Sequence, residues 1–138
     1  MHLHICLLFV SFLLPSPAHD DAKALAGNWK LEKGQHNGMD FPAEIASGFT
    51  LKVEGDKFAF TFAGNVKSAT FKVNPGKNPK ELDVTWTDGN HQGKTVKCVY
   101  ELKDDTFSFR AGKESGEDER PKSLTEGGEI FFVFKKEK

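Results

Sequence analysis

From Asn28 to Phe134 the chain is a succession of short runs in which apolar and polar residues alternate, the pattern of strands with one buried face. Asn28-Trp29-Lys30-Leu31-Glu32 is the first run and Phe49-Thr50-Leu51-Lys52-Val53 the second. Glu54-Gly55-Asp56-Lys57 then leads into Phe58-Ala59-Phe60-Thr61-Phe62, and a Gly-Asp pair between two alternating runs predicts a tight hairpin. Ala69-Thr70-Phe71-Lys72-Val73 ends at Asn74-Pro75-Gly76, and Leu82-Asp83-Val84-Thr85-Trp86 ends at Asp88-Gly89-Asn90. The longest run, Thr95 to Leu102, turns at Asp104-Asp105 into Thr106-Phe107-Ser108-Phe109, and Ile130-Phe131-Phe132-Val133-Phe134 is the last. About eight strands with short links predict an all-β, antiparallel up-and-down barrel, a size that encloses side chains or one small ligand.

Two stretches interrupt the rhythm. Gly34 to Ser47 contains Asn37-Gly38 and then Pro42-Ala43-Glu44-Ile45-Ala46, where proline opens one helical turn, so a short lid is expected between the first two strands. Ala111 to Gly128 is polar and rich in Gly, Glu and Lys, and predicts a long mobile loop. Neither contains a repeat or a linker, so one domain is expected over residues 19–138.

Upstream of the alternation, residues 3–14 form an apolar run broken by Pro15 and followed by the small residues Ser16-Pro17-Ala18. The run is shorter than the roughly 20 residues a bilayer span needs. It predicts a signal peptide over residues 1–18, cleaved after Ala18, although His2 and His4 stand where Lys or Arg is usual. Cys6 has no lipobox around it. The expected product is exported (periplasmic, cell-envelope or secreted), has no membrane span, and is a monomer. Downstream of the leader only Cys98 remains, which excludes an internal disulfide and suggests a small buried apolar side chain. A reactive thiol or an intermolecular bridge is the other reading of Cys98.

Charge narrows the functional classes. Lys and Arg number 19 against 20 Asp and Glu, a net charge of −1, whereas a nucleic-acid partner demands a basic face. His19, His36 and His91 fall in predicted loops or at the terminus without metal-ligand spacing, and no His-Glu-x-x-His or Cys-x-x-Cys occurs. Gly112 to Gly116 does not link a strand to a helix, and Glu101 with Asp104-Asp105 reads as a solvated acidic turn. No catalytic residue, metal or cofactor is therefore expected.

Gly27-Asn28-Trp29 at the first strand resembles the Gly-x-Trp start of lipocalin-like barrels. More widely, residues 25–136 resemble a small lipocalin-like domain of exported planctomycete proteins. The resemblance rests on Leu25-Ala26-Gly27-Asn28-Trp29, Asn37-Gly38, Gly55-Asp56-Lys57-Phe58 and Asn78-Pro79-Lys80-Glu81-Leu82-Asp83. Gly93-Lys94-Thr95, Tyr100-Glu101-Leu102, Asp105-Thr106-Phe107 and Arg120-Pro121 complete it. It implies a lipocalin-like barrel outside the cytoplasm and carries no established activity. Asp104 stands where the family pattern has glycine. The resemblance also implies closure of one barrel end by Gly27 and Trp29, with an arginine over the indole. Arg120 matches the Arg-Pro pair, while Arg110 ends a strand near the rim, and both remain candidates.

The sequence has thirteen Phe, two Trp and one Tyr, and all of these but Phe9 and Phe12 lie downstream of the expected leader, loading the barrel with aromatic residues. Alternation points Phe49, Phe58, Phe60, Phe62, Phe71, Trp86, Tyr100, Phe107 and Phe109 inward, while Phe131 and Phe132 take opposite faces. Rings of this size either fill the interior or leave a ligand-sized apolar cavity. With a cavity, Phe60, Phe71, Trp86, Tyr100 and Phe109 are the candidate lining, Tyr100 or an arginine supplies a polar handle, and the ligand is a small hydrophobic or amphipathic molecule. With a filled barrel, the alternative is a structural or inhibitory interaction domain of the cell envelope, meeting an envelope protein along Phe41 to Phe49.

Overall fold

All eight alternating runs form strands, and two helices and one minimal strand join them. The computed structural model describes residues 17–138; the apolar run 3–14, with Cys6, lies outside the described residues. In chain order the elements are α1 (Pro17–Leu25), β1 (Gly27–His36), β2 (Met39–Asp40), α2 (Ala43–Ser47), β3 (Thr50–Glu54), β4 (Lys57–Phe62), β5 (Asn65–Asn74), β6 (Lys80–Trp86), β7 (Thr95–Lys103), β8 (Thr106–Ala111) and β9 (Ile130–Lys136). The position proposed for cleavage, after Ala18, falls in the first turn of α1.

Each barrel strand pairs antiparallel with its neighbour from β3 through β9, and β1 joins both β3 and β9. The result is a closed, lipocalin-like eight-stranded barrel, with β2 added along the far half of β1. Closure leaves no long open edge, which is how an antiparallel sheet of this length avoids edge pairing with other chains.

The turns explain the strand ends. Asn37-Gly38, expected to begin a lid, is instead the two-residue turn of the β1–β2 hairpin, with φ of 52° and 81°. Positive φ at both central residues is the turn whose twist matches the strands, and Asn-Gly is its preferred pair. Ala63-Gly64 makes the same kind of turn between β4 and β5, which forces the alanine to φ 54°. Asp104, in the turn between β7 and β8, also has φ 54°. Its backbone is glycine-like although its side chain is not. Between β2 and β3, Pro42 precedes α2, so the short helical turn expected there is present.

One irregularity decides which residues face inward. The β1–β9 register shifts between Leu31 and Lys33, a β-bulge of one residue. Trp29 and Leu31 are buried before it and Gly34 after it, so the inward parity changes within one strand. His36, of the same parity as Gly34, therefore reaches the mouth of the barrel.

The end of the barrel nearest α1 is filled. Trp29, Phe58, Phe107 and Phe134 are fully buried there, with Phe58 stacked on Phe71 at 4.3 Å and Trp29 edge-on to Phe107 at 5.8 Å. Helix α1, which alternation did not predict, lies across this end. Its Leu25 is fully buried, its carbonyl accepts the Trp29 indole N–H at 2.8 Å, and Asp21 accepts hydrogen bonds from Tyr100 Oη and Lys80 Nζ. These contacts all come from residues downstream of Ala18.

The cation over Trp29 is a lysine, correcting the expected Arg110 or Arg120. Trp29 pairs directly with Lys136 across β1–β9, and Lys136 Nζ lies 5.3 Å from the ring while donating to the Ala24 carbonyl. Gly27, at φ 131°, lets the chain pass under that side chain, since a Cβ would meet Lys136 Cε at 3.1 Å. Both arginines are engaged on the outer wall. Arg120 donates to the Leu82 and Cys98 carbonyls at 3.2 and 2.8 Å and to Asp83 at 2.7 Å, with Glu81 at 3.7 Å. Arg110 donates to the Leu124 and Gly127 carbonyls and lies 4.8 Å from the centre of the outward-facing Phe131 ring.

The long connection from Gly112 to Glu129, expected to be mobile, is thereby fastened to the strands. On β7 beside it, Val99 is 1% exposed although its parity is outward. Among the described residues no helix is long and apolar enough to cross a membrane.

Candidate functional site

The opposite end of the barrel is hollow. A cavity of about 480 Å³ is walled by β4, β5, β6, β7, β8 and β9, with Phe41, Ile45 and Phe49 from the α2 region at its mouth. Its apolar lining includes the rings of Phe49, Phe60, Phe62, Trp86, Phe109 and Phe132. The interior is thus divided, with aromatic packing in the α1 half and open volume in the half beneath α2.

Local sequence accounts for the mouth. Gly34 leaves room for the Phe41 ring, since a Cβ there would sit 2.8 Å from Phe41 Cδ2. Phe41 then reaches Phe132 at 6.0 Å, and Phe49 contacts Phe132 at 5.1 Å and Phe62 at 5.4 Å. Tilted and edge-on pairs at these separations are the arrangements that aromatic rings favour. Ile45 and Phe62 are 38% and 41% exposed, so the apolar lining continues out to solvent.

Three of the five residues expected to line a cavity do so: Phe60, Trp86 and Phe109. Phe71 and Tyr100 do not. Both face inward, but they belong to the filled half, where Phe71 stacks on Phe58 and Tyr100 meets Phe107 at 6.2 Å. Alternation identifies the face a side chain takes, while strand tilt sets its height along the barrel. Nor does Tyr100 or an arginine supply a polar handle. Burial and the bond to Asp21 push the Tyr100 phenol well above its ordinary range, so it stays neutral and committed to α1.

The polar groups on the cavity are His36, Asn65, Lys67 and Glu114. Lys67 is the most informative. It lies on the β5 extension upstream of Ala69 and has the same parity as Ala69 and Phe71, so it faces inward. Its Nζ sits 4.6 Å from the centre of the Trp86 ring and forms a short ion pair with the Glu114 carboxylate. Trp86 Nε1 in turn donates to the Glu114 main-chain carbonyl at 3.0 Å. One tryptophan therefore holds both the cation and the loop that carries its partner. His36 faces Glu129 at 3.7 Å across the rim. Extending the β5 parity two residues upstream would have found Lys67; nothing local places Glu114 beside it.

Cys98 is fully buried and borders the cavity, its Sγ 3.7 Å from the Val96 carbonyl. Burial pushes its thiol far above the usual range, only partly opposed by Arg120, so the side chain acts as a small apolar group. Among the described residues no three His, Cys, Asp or Glu side chains come together as a metal-binding group. No family model matches the chain, and neither a curated protein nor a solved structure matches it.

Proposed function

We propose that this protein is an exported binding protein that takes one small hydrophobic or amphipathic molecule into the open half of its barrel. The observation that carries this reading is the cavity of about 480 Å³ with its aromatic lining. A volume of several hundred Å³, predominantly apolar with a few convergent polar groups, is the usual form of a small-molecule site. The alternative, a filled barrel acting through its outer surface, predicts an interior without such volume. Membership of the planctomycete lipocalin-like family belongs to the same proposal and agrees with the barrel topology.

Native mass spectrometry of protein purified without detergent tests the reading. The expected result is an added mass that organic solvent removes and that Val96→Phe, which fills the cavity, abolishes. Val96 borders the cavity and is 5% exposed, so the added ring occupies the space a ligand needs. A bare polypeptide mass that also gains nothing on incubation with dodecanol or dodecanoate would overturn the proposal.

A further inference from the structure

Resting on that binding reading, we infer that the ligand is an amphiphile with an anionic head group, that Lys67 binds the head, and that Glu114 occupies the head-group position when the cavity is free. The cation and its partner are held unequally. Lys67 extends from β5, a strand paired on both sides, and lies against Trp86, which is itself 8% exposed in the wall. Glu114 follows the end of β8 on the long connection, and its side chain is 48% exposed. Its main chain is tied to Trp86, while its carboxylate has solvent into which to rotate.

An exposed ion pair of this kind adds little to stability, because water competes for both charges and two long side chains must be ordered. Displacing the Glu114 carboxylate is therefore inexpensive. Displacing Lys67 means moving a group lodged against an aromatic wall. A ligand carboxylate would meet the same ammonium in the same charge-assisted geometry, over the same indole, with its tail in the aromatic cavity below. A cationic head would meet Lys67 as a like charge. An uncharged head would have to break the Lys67–Glu114 pair without replacing it.

The tail would extend past Phe60, Phe109 and Phe132, which line the cavity on three different strands. The closed, buried α1 end stops it there. Head outward and tail inward is the one orientation that leaves no charge in the filled half, where burial of an ion would be costly. No covalent chemistry is required.

Isothermal titration calorimetry with dodecanoate, dodecanol and dodecyltrimethylammonium separates the possibilities. Dodecanoate should bind about tenfold more tightly than dodecanol, the size of one charge-assisted contact, and the ammonium more weakly than either. Lys67→Met should erase the preference for dodecanoate, with dodecanol binding at least as tightly as to the wild type because no Lys67–Glu114 pair is left to break. Glu114→Gln should tighten dodecanoate several-fold by removing the internal competitor, with the fold checked for each variant by its melting transition. Dodecanol binding as tightly as dodecanoate, or an undiminished preference in Lys67→Met, would overturn the head-group assignment and leave a purely apolar site. Failure of all three probes would overturn the binding reading itself.

Discussion

Replacing Trp29 tests how the closed end of the barrel is held. The indole is fully buried against Phe107, with Lys136 over its face and its N–H on the Leu25 carbonyl at 2.8 Å. An aromatic side chain of this size buries about 200 Å², and at about 25 cal/mol per Å² its burial contributes about 5 kcal/mol. A compact denatured chain lowers that figure, and the loss of a buried hydrogen bond raises it by about 1 kcal/mol. Trp29→Ala should therefore destabilise by about 4 kcal/mol, within the usual range for emptying a core aromatic site. Trp29→Phe keeps most of the ring but leaves the Leu25 carbonyl unpaired, and should cost about 1–3 kcal/mol. Urea unfolding followed by circular dichroism measures both, as shifts of the midpoint at constant slope. A loss below about 1 kcal/mol for Trp29→Ala would refute the assignment of Trp29 and α1 to the structural floor.

Three further outcomes follow from named contacts. Ala63→Gly relieves a left-handed alanine in the β4–β5 turn and should add about 0.5–1 kcal/mol, and Asp104→Gly should add a smaller amount, since aspartate tolerates that conformation better. Loss of stability in urea for Ala63→Gly would contradict the turn geometry. Arg120→Met removes contacts to Leu82, Cys98 and Asp83 and should cost about 1–3 kcal/mol while accelerating amide exchange across residues 112–129; unchanged exchange would show the connection to be held by other contacts. The Cys98 thiol is raised by burial in the folded state, so its contribution is fully present below the unfolded thiol range, near pH 8.5, and is lost as the pH rises above it. Wild type should therefore lose stability more steeply than Cys98→Ala between about pH 8.5 and 10, and identical slopes would refute a neutral buried thiol.

Much of the architecture was legible in order along the chain. Strict alternation needs only the period of the pleated backbone, so all eight barrel strands and most inward side chains follow from it. Short links between them dictate antiparallel neighbours, and Pro42 marks the start of α2. The turn at Asp104-Asp105 was also legible, though not the left-handed backbone that Asp104 takes in it.

Tertiary structure decided where those elements meet and at what height. Helix α1 shows no alternation and becomes the floor only because Leu25 and Asp21 find Trp29 and Tyr100 there. The bulge between Leu31 and Lys33 shifts parity midway through β1, and barrel closure puts Lys136, rather than an arginine, beside Trp29. Arg110, on β8, reaches the Leu124 carbonyl of the long connection, while Arg120, on that connection, reaches the Leu82 and Cys98 carbonyls and Asp83, which strands distant in sequence bring to one outer wall. The cavity is the clearest case. Residue parity separates inside from outside, but whether rings at one level fill the interior depends on strand tilt and on the pairing of eight strands at once. Lys67 faces Glu114 across 47 residues of sequence, and the closed barrel brings them together.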